Sequence, residues 1–452
     1  MNSLKQYLDI YDSERATVDA HACEALNRLR PAAREALEKS GLPTLHSEGH
    51  TVTSPADMFA PDYGLNLTRL SMPANVATAF RCGIPNLSTL KAFVINDTFH
   101  APERLSEVLP AGVTVCSLRE GAERFPDDVS RCLGHIAPLT DPAVALNTLL
   151  AQDGVMIHIA AGTHVAKPLQ LVNIMASPVA MLAVRRVLIV AGDGSEATVL
   201  ACDHPQSGGR QVMVSQVTEI ALGPGAKLDY YDMESSSAET GRQASLYVRQ
   251  DDDSTFNAGV FTLSCGQTRN DLRVDVSGTR CHTFIGGLAI ASGNQRVDNN
   301  SRIDHTGERS HSRQLFKYVL DDEARGGFEG RILVAPQARY IEAYQSNRNM
   351  LASTDARMHT EPQLEIYCDE VKCSHGATTG QLDAGQLFYM RTRGIPLATA
   401  RVMLIQAFMS EVVETVKTES LRDRLHHLVE RRLQGSHEKC DDCAARCNTH
   451  ER

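Results

Sequence analysis

Two places in the chain bring soft side chains together at spacings that could do chemistry. In "DEVKCSHGATTGQLD", residues 369–383, Cys373 and His375 stand two apart in an extended segment, followed by glycines and a helix-start signal. On a strand, residues i and i+2 share a face, so thiol and imidazole project side by side while Lys372 and Ser374 face away. Thiolate and imidazole suit zinc, iron and iron–sulfur species. Two ligands are too few for a closed site, so the rest must come from elsewhere in this chain or from another one. Packing alone is the other reading, because a small thiol at a strand end also serves as core filler.

The tail, "QGSHEKCDDCAARCNTHER", is different in kind. His437, Cys440, Cys443, Cys447 and His450 place five soft ligands in fourteen residues, spaced C-x2-C-x3-C between histidines. The short C-x2-C bite suits a tetrahedral zinc or iron, and three thiols fall one short of the four-cysteine ferredoxin run. A hydrophilic terminus whose thiols do little is the alternative. His305 and His311, in the polar stretch "NNSRIDHTGERSHSRQLFKYV", read as members of a stacked polar ladder.

Self-contained catalysis finds no support. "GATTGQ" lacks the lysine that a phosphate-cradling loop needs, and neither a G-x-S-x-G elbow nor an H-E-x-x-H pair occurs. The formal net charge of −10, with no basic run, argues against nucleic acid and anionic membranes as partners. No apolar run reaches bilayer length and the N-terminus has no apolar core of a signal, so the expectation is a cytoplasmic protein. The twelve cysteines are then expected as thiols or ligands, not disulfides.

The elements that must position these residues fall into three segments. Ala16, Ala20, Ala25, Leu26, Leu29, Ala33, Ala36 and Leu37 recur at helical steps from Asp12 to Ser40, and Gly41 and Pro43 end the run. Residues 83–150 mix short apolar pieces with helix-like stretches. From about Gly154, runs such as "GVMIHIAAG", "RRVLIVAG" and "DLRVDVSG" follow one another between Gly, Asp, Asn and Ser turns for some two hundred residues. With almost no tight hairpin signal between runs, an irregular parallel β-helix fits better than a sandwich or barrel. Past Asp383, which has capping-box spacing to Gln386, the chain is helical again. The expected fold is mainly β with helical flanks. Its divisions are a mixed region over 1–150, the β core over 151–382, a helical domain over 383–435 and the Cys/His tail over 436–452.

The segment "VKCSHGATTGQLDAGQLFYMRTRGIP" (371–396), with "SRQLFKYVLDDEARGGFEGRILVAPQARYIEAYQSNRNML" before it, closely resembles the SufB/SufD family of iron–sulfur cluster assembly proteins. The match is dense over about residues 295–410. It leans to the SufD branch, because no cysteine follows Gln345-Ser-Asn347 over Met350–Thr354 and because Cys-Ser-His-Gly stands at 373–376. The resemblance implies a right-handed parallel β-helix paired with SufB, each partner carrying one subunit of the SufC ATPase. It also implies a transient cluster formed at the interface, with His375, and beside it Cys373, as this chain's contribution. The C-terminal helices, through Leu404, Phe408 and Val412, are the expected ATPase dock, and the tail a site for zinc or iron. A structural β-helix homo-oligomer and a carbohydrate-active β-helix enzyme are the competing readings.

Overall fold

The computed structural model describes residues 3–70, 88–102, 104–205 and 210–434. Its centre is a parallel β-solenoid. In chain order the strands are β1 (Leu90–Ile95), β2 (Thr98–His100), β3 (Val113–Ser117), β4 (Val155–Ile159), β5 (Leu169–Met175), β6 (Met181–Ala191), β7 (Glu196–Pro205), β8 (Val212–Leu222), β9 (Lys227–Ser235) and β10 (Thr240–Gln250). They continue as β11 (Thr255–Ser264), β12 (Gln267–Val276), β13 (His282–Ala291), β14 (Arg296–His305), β15 (His311–Leu320), β16 (Arg325–Val334), β17 (Ile341–Leu351), β18 (Arg357–Ile366) and β19 (Val371–Gln381). Odd strands from β5 onward stack into a sheet extended by β1 and β2; even strands stack into a second sheet extended by β3.

Consecutive solenoid strands lie in opposite sheets, and each pairs in parallel with the strand one coil away, as β12 does with β10 and β14. That is why tight hairpin turns are missing between the parallel strands, whereas β1 and β2, which pair antiparallel across Asn96 and Asp97, do form one. Coil length is uneven: Gly241 pairs with Gln267, whereas Arg325 pairs with Arg357. Turn signals therefore recur without a fixed period. Alternation sets the faces, with Val274 and Val276 buried in the lumen and Asp275 exposed.

The lumen is divided lengthwise. One side is aliphatic and aromatic, with Leu228, Val248, Phe256 and Val274 in a single cluster. The other carries buried charge. Arg185 reaches Asp203 at 2.9 Å, and Arg242 reaches Asp203 at 3.2 Å and Asp232 at 2.6 Å. Arg242 also donates to Asn270 Oδ1, and Asn270 to Asn299 Oδ1, each at 2.9 Å. Buried charges persist only when paired in this way.

Ten helices are described. Where one helical run was expected from Asp12 to Ser40, the chain forms α1 (Ser3–His21) and α2 (Glu24–Ser40). The break falls at Cys23, whose backbone is extended, and Gly41 at φ 68° closes α2. The short helices α3 (Pro55–Met58), α4 (Leu105–Val108), α5 (Leu118–Arg124) and α6 (Pro126–Cys132) precede α7 (Pro142–Leu150). Arg30 of α2 is fully buried and donates to the carbonyls of Thr148, Leu149 and Ala151, satisfying the end of α7. After the solenoid come α8 (Ala384–Thr392), α9 (Leu397–Val413) and α10 (Glu419–Leu433). Asp383 accepts from Gln386 N–H at 2.9 Å, as its spacing predicts. Among the described residues no helix is long and apolar enough to cross a membrane.

Candidate functional site

Cys373 and His375 lie on β19, the last strand of the ten-stranded sheet, which among the described residues pairs only with β17. Cys373 stands over Ala343 and His375 over Gln345. Both share the parity of the buried β17 residues Ala343 and Gln345, so they face the lumen side of the final rung. There the two part company. Cys373 is half-buried and packs against the buried cluster of Ile332, Val334, Ile341 and Ala343, and burial pushes its thiol pKa up. A thiol held protonated at neutral pH is a weaker ligand than a thiolate. His375 is exposed, one rung beyond the buried Gln345, whose Nε2 donates to Gln314 Oε1 at 3.4 Å.

The end of the solenoid is open on both sheets. β18 and β19 carry almost no buried residue, in contrast to β13 or β15. Among the described residues each presents an unpaired edge, and Pro362, which cannot donate to a ladder, sits in the β18 edge strand. On the lumen side of this last rung, Thr360 Oγ1 donates to Asn347 Oδ1 at 2.8 Å and Asn349 Nδ2 to Thr379 Oγ1 at 3.2 Å. Among the described residues no three His, Cys, Asp or Glu side chains gather to hold a metal ion. Cys373 and His375 are brought together, and any further ligand would have to come from outside them.

The C-terminal helices pack on the odd-strand sheet through Ile405, Met409, Val412, Leu421, Leu425 and Val429. Lys317 of β15, itself buried, pins α9 by donating to the Phe408 carbonyl at 2.7 Å and pairing with Glu411 at 2.6 Å. Of the three residues expected to meet a partner, Val412 is fully buried against the sheet, so it holds the helix in place and touches no partner while the domain is folded. Leu404 and Phe408 are half-buried, and the Phe408 ring lies 4.4 Å from Lys317 Nζ. The helical stripe continues onto the sheet, which a helix read alone does not reveal. The apolar side chains that do face solvent are Phe388, at 69 % exposure, with Tyr389, Leu397 and Met403.

Other expectations have definite places. His305 is buried and bonds Ser312 Oγ at 2.8 Å; His311 tilts against His282 and Tyr344 on the outer face, as a ladder member should. His437, Cys440, Cys443, Cys447 and His450 lie outside the described residues. Sequence reading missed the lumenal charges. The adjacent pair Arg185-Arg186 in an otherwise apolar strand was the available signal. Alternation sends Arg185 inward to Asp203 and Arg186 outward to Glu219, beneath α7.

Comparison with known proteins gives the family. A family model described as "SUF system FeS cluster assembly, SufBD core domain" matches residues 173–408, and one described as "SufBD protein N-terminal region" matches residues 1–171. The chain is 27 % identical over 426 residues to an iron–sulfur cluster assembly SufBD family protein of Synechocystis, covering 92 % of this chain and 93 % of that one. It is 27 % identical over 438 residues to the iron–sulfur cluster assembly protein SufD of Escherichia coli, covering 96 % and 97 %. With the core model spanning more than half of its length, the chain belongs to the SufBD family of iron–sulfur cluster assembly proteins.

Proposed function

We propose that the protein is a SufD-type scaffold subunit that docks SufB at the open end of its solenoid and helps a nascent iron–sulfur cluster form there. One observation carries the reading: the uncapped last rung, with two free strand edges, also bears the Cys373/His375 pair on its lumen side. A partner strand supplies the hydrogen bonds that β18 and β19 lack and brings the ligands that two side chains cannot provide. His375 is the stronger contributor, because an exposed imidazole can ligate iron or carry a proton, whereas Cys373 is partly packed. The cluster is cargo rather than a resident cofactor.

Energy would come from SufC, docked on the exposed side of α8 and α9 around Leu397 and Met403, with Leu404 and Phe408 at its margin. The reading places the complex in the cytoplasm, and gives the tail (His437, Cys440, Cys443, Cys447, His450) about one zinc or ferrous ion, lost on deleting residues 436–452. The deciding experiment is anaerobic co-expression with SufB and SufC, followed by iron and sulfide analysis of the purified complex. The expected result is an intact complex for His375→Ala with cluster content reduced about tenfold or more, and a milder loss for Cys373→Ala. Wild-type iron and sulfide in the His375→Ala complex would sink the role given to His375. Self-association with no capture of SufB would favour the homo-oligomer instead.

A further inference from the structure

At the starts of β13 and β15, the outer face of the odd-strand sheet sets two imidazoles one coil apart. Parallel register pairs His282 with His311, and His311 in turn with Glu342 of β17. Alternation turns all three outward, since Thr283, Ser312 and Ala343 beside them are buried. The ring centroids of His282 and His311 lie 6.1 Å apart, with the planes tilted by 39°. His282 is exposed and His311 half-buried, so both rings can be reached from solvent. Among the described residues no hydrogen bond ties down either one.

Two features favour a shared metal ion over simple stacking. Imidazole ligates as the neutral base, and burial, followed by the neighbouring His282, lowers the pKa of His311, which keeps that ring neutral at pH 7. Spacing is the other: with metal–nitrogen bonds of about 2.0–2.1 Å, two imidazoles on one ion hold their centroids about 5–6.5 Å apart. The local field is mixed. Glu342 attracts a cation toward His311 and Arg313 repels one, while Lys372 offsets part of the Glu342 charge through a pair at 2.9 Å. Charge alone therefore does not hold an ion here, and the nitrogens must. That selects an imidazole-preferring metal such as zinc over magnesium or calcium, which take oxygen ligands.

We propose that His282 and His311 bind one zinc ion between adjacent coils, in an open site whose remaining positions water fills. The site lies on the opposite face of the sheet from Cys373 and His375 and does not depend on the assembly role. The test is isothermal titration of the full chain with zinc chloride, the tail being common to every variant. The wild type should take up one equivalent more than the His282→Ala/His311→Ala double variant, and each single substitution should weaken that equivalent about tenfold or more. His282→Ala, at an exposed side chain, is the variant least able to disturb the fold, which circular dichroism checks. His164, another exposed histidine, pairs with Glu196 at 3.4 Å, and His164→Ala should leave zinc uptake unchanged. Equal uptake by the wild type and a folded His282→Ala protein would overturn the proposal. So would a loss on His164→Ala as large as that on His282→Ala, which would mark adventitious surface binding only.

Discussion

Glu234 sits wholly inside the solenoid, where Ser236 and Thr268 donate to one carboxylate oxygen at 2.9 and 2.7 Å and Thr262 to the other at 3.4 Å. Burial outweighs the attraction of Arg242 and raises its pKa from 4.5 to about 7. The folded state therefore binds this proton more tightly than the unfolded chain. Its contribution to stability is complete below pH 4.5 and is lost as pH rises through 7. Glu234→Gln keeps the shape without the titration. The variant should gain on the wild type by roughly 3 kcal/mol between pH 4.5 and 8, read from denaturant melts across that range. A constant difference between the two proteins would refute the assignment. None of this was legible in the sequence, since "DMES" shows an acid near a strand end but not which way it points.

At the scale of elements, the stretch 49–53 is held to the even-strand sheet by a short polar clasp. Thr53 Oγ1 donates to Asp298 Oδ2 at 2.8 Å, and Arg269 Nη1 donates to the Gly49 carbonyl at 2.7 Å and to Asp298 at 3.0 Å. Removing one partner of a buried charge cluster leaves the others uncompensated, so Asp298→Ala should cost about 3–5 kcal/mol and open residues 44–54 to limited proteolysis. Unchanged cleavage would show that the clasp is not what holds this stretch. The C-terminal helices allow a sharper contrast. Val412→Asp buries a charge against the sheet and should unfold the helical domain. Met403→Glu lies on the exposed side and should leave the fold intact while weakening SufC capture in a pull-down. Full SufC capture by Met403→Glu would remove this face from consideration.

For the whole molecule, a solenoid is nearly one-dimensional: each coil is stabilised mainly by the coils on either side. The middle coils, β8 to β13, have two neighbours and buried strands, whereas β18 and β19 have one neighbour and exposed edges. Amide hydrogen exchange followed by mass spectrometry should show protection falling toward β18 and β19 in the isolated protein. Protection of those two strands should rise when SufB is added. Equal protection along the solenoid, or no change on adding SufB, would contradict this view of the open end.

Local chemistry was readable before any coordinates. Alternation in "DLRVDVSG", the cap at Asp383, the stop at Gly41 and the shared face of Cys373 and His375 follow from dihedral preference and side-chain period alone, and all four hold. The parallel solenoid was legible by elimination, because strands without tight turns between them must cross to another layer. Tertiary structure decided whatever depends on what lies across a coil. It turned Val412 into the core, since the apolar stripe of α9 meets a sheet distant in sequence. It gathered Arg185, Asp203, Arg242 and Asp232 from different strands into one network. It also separated two neighbours of identical parity, packing Cys373 and leaving His375 exposed, because among the described residues no further strand stacks on the last rung.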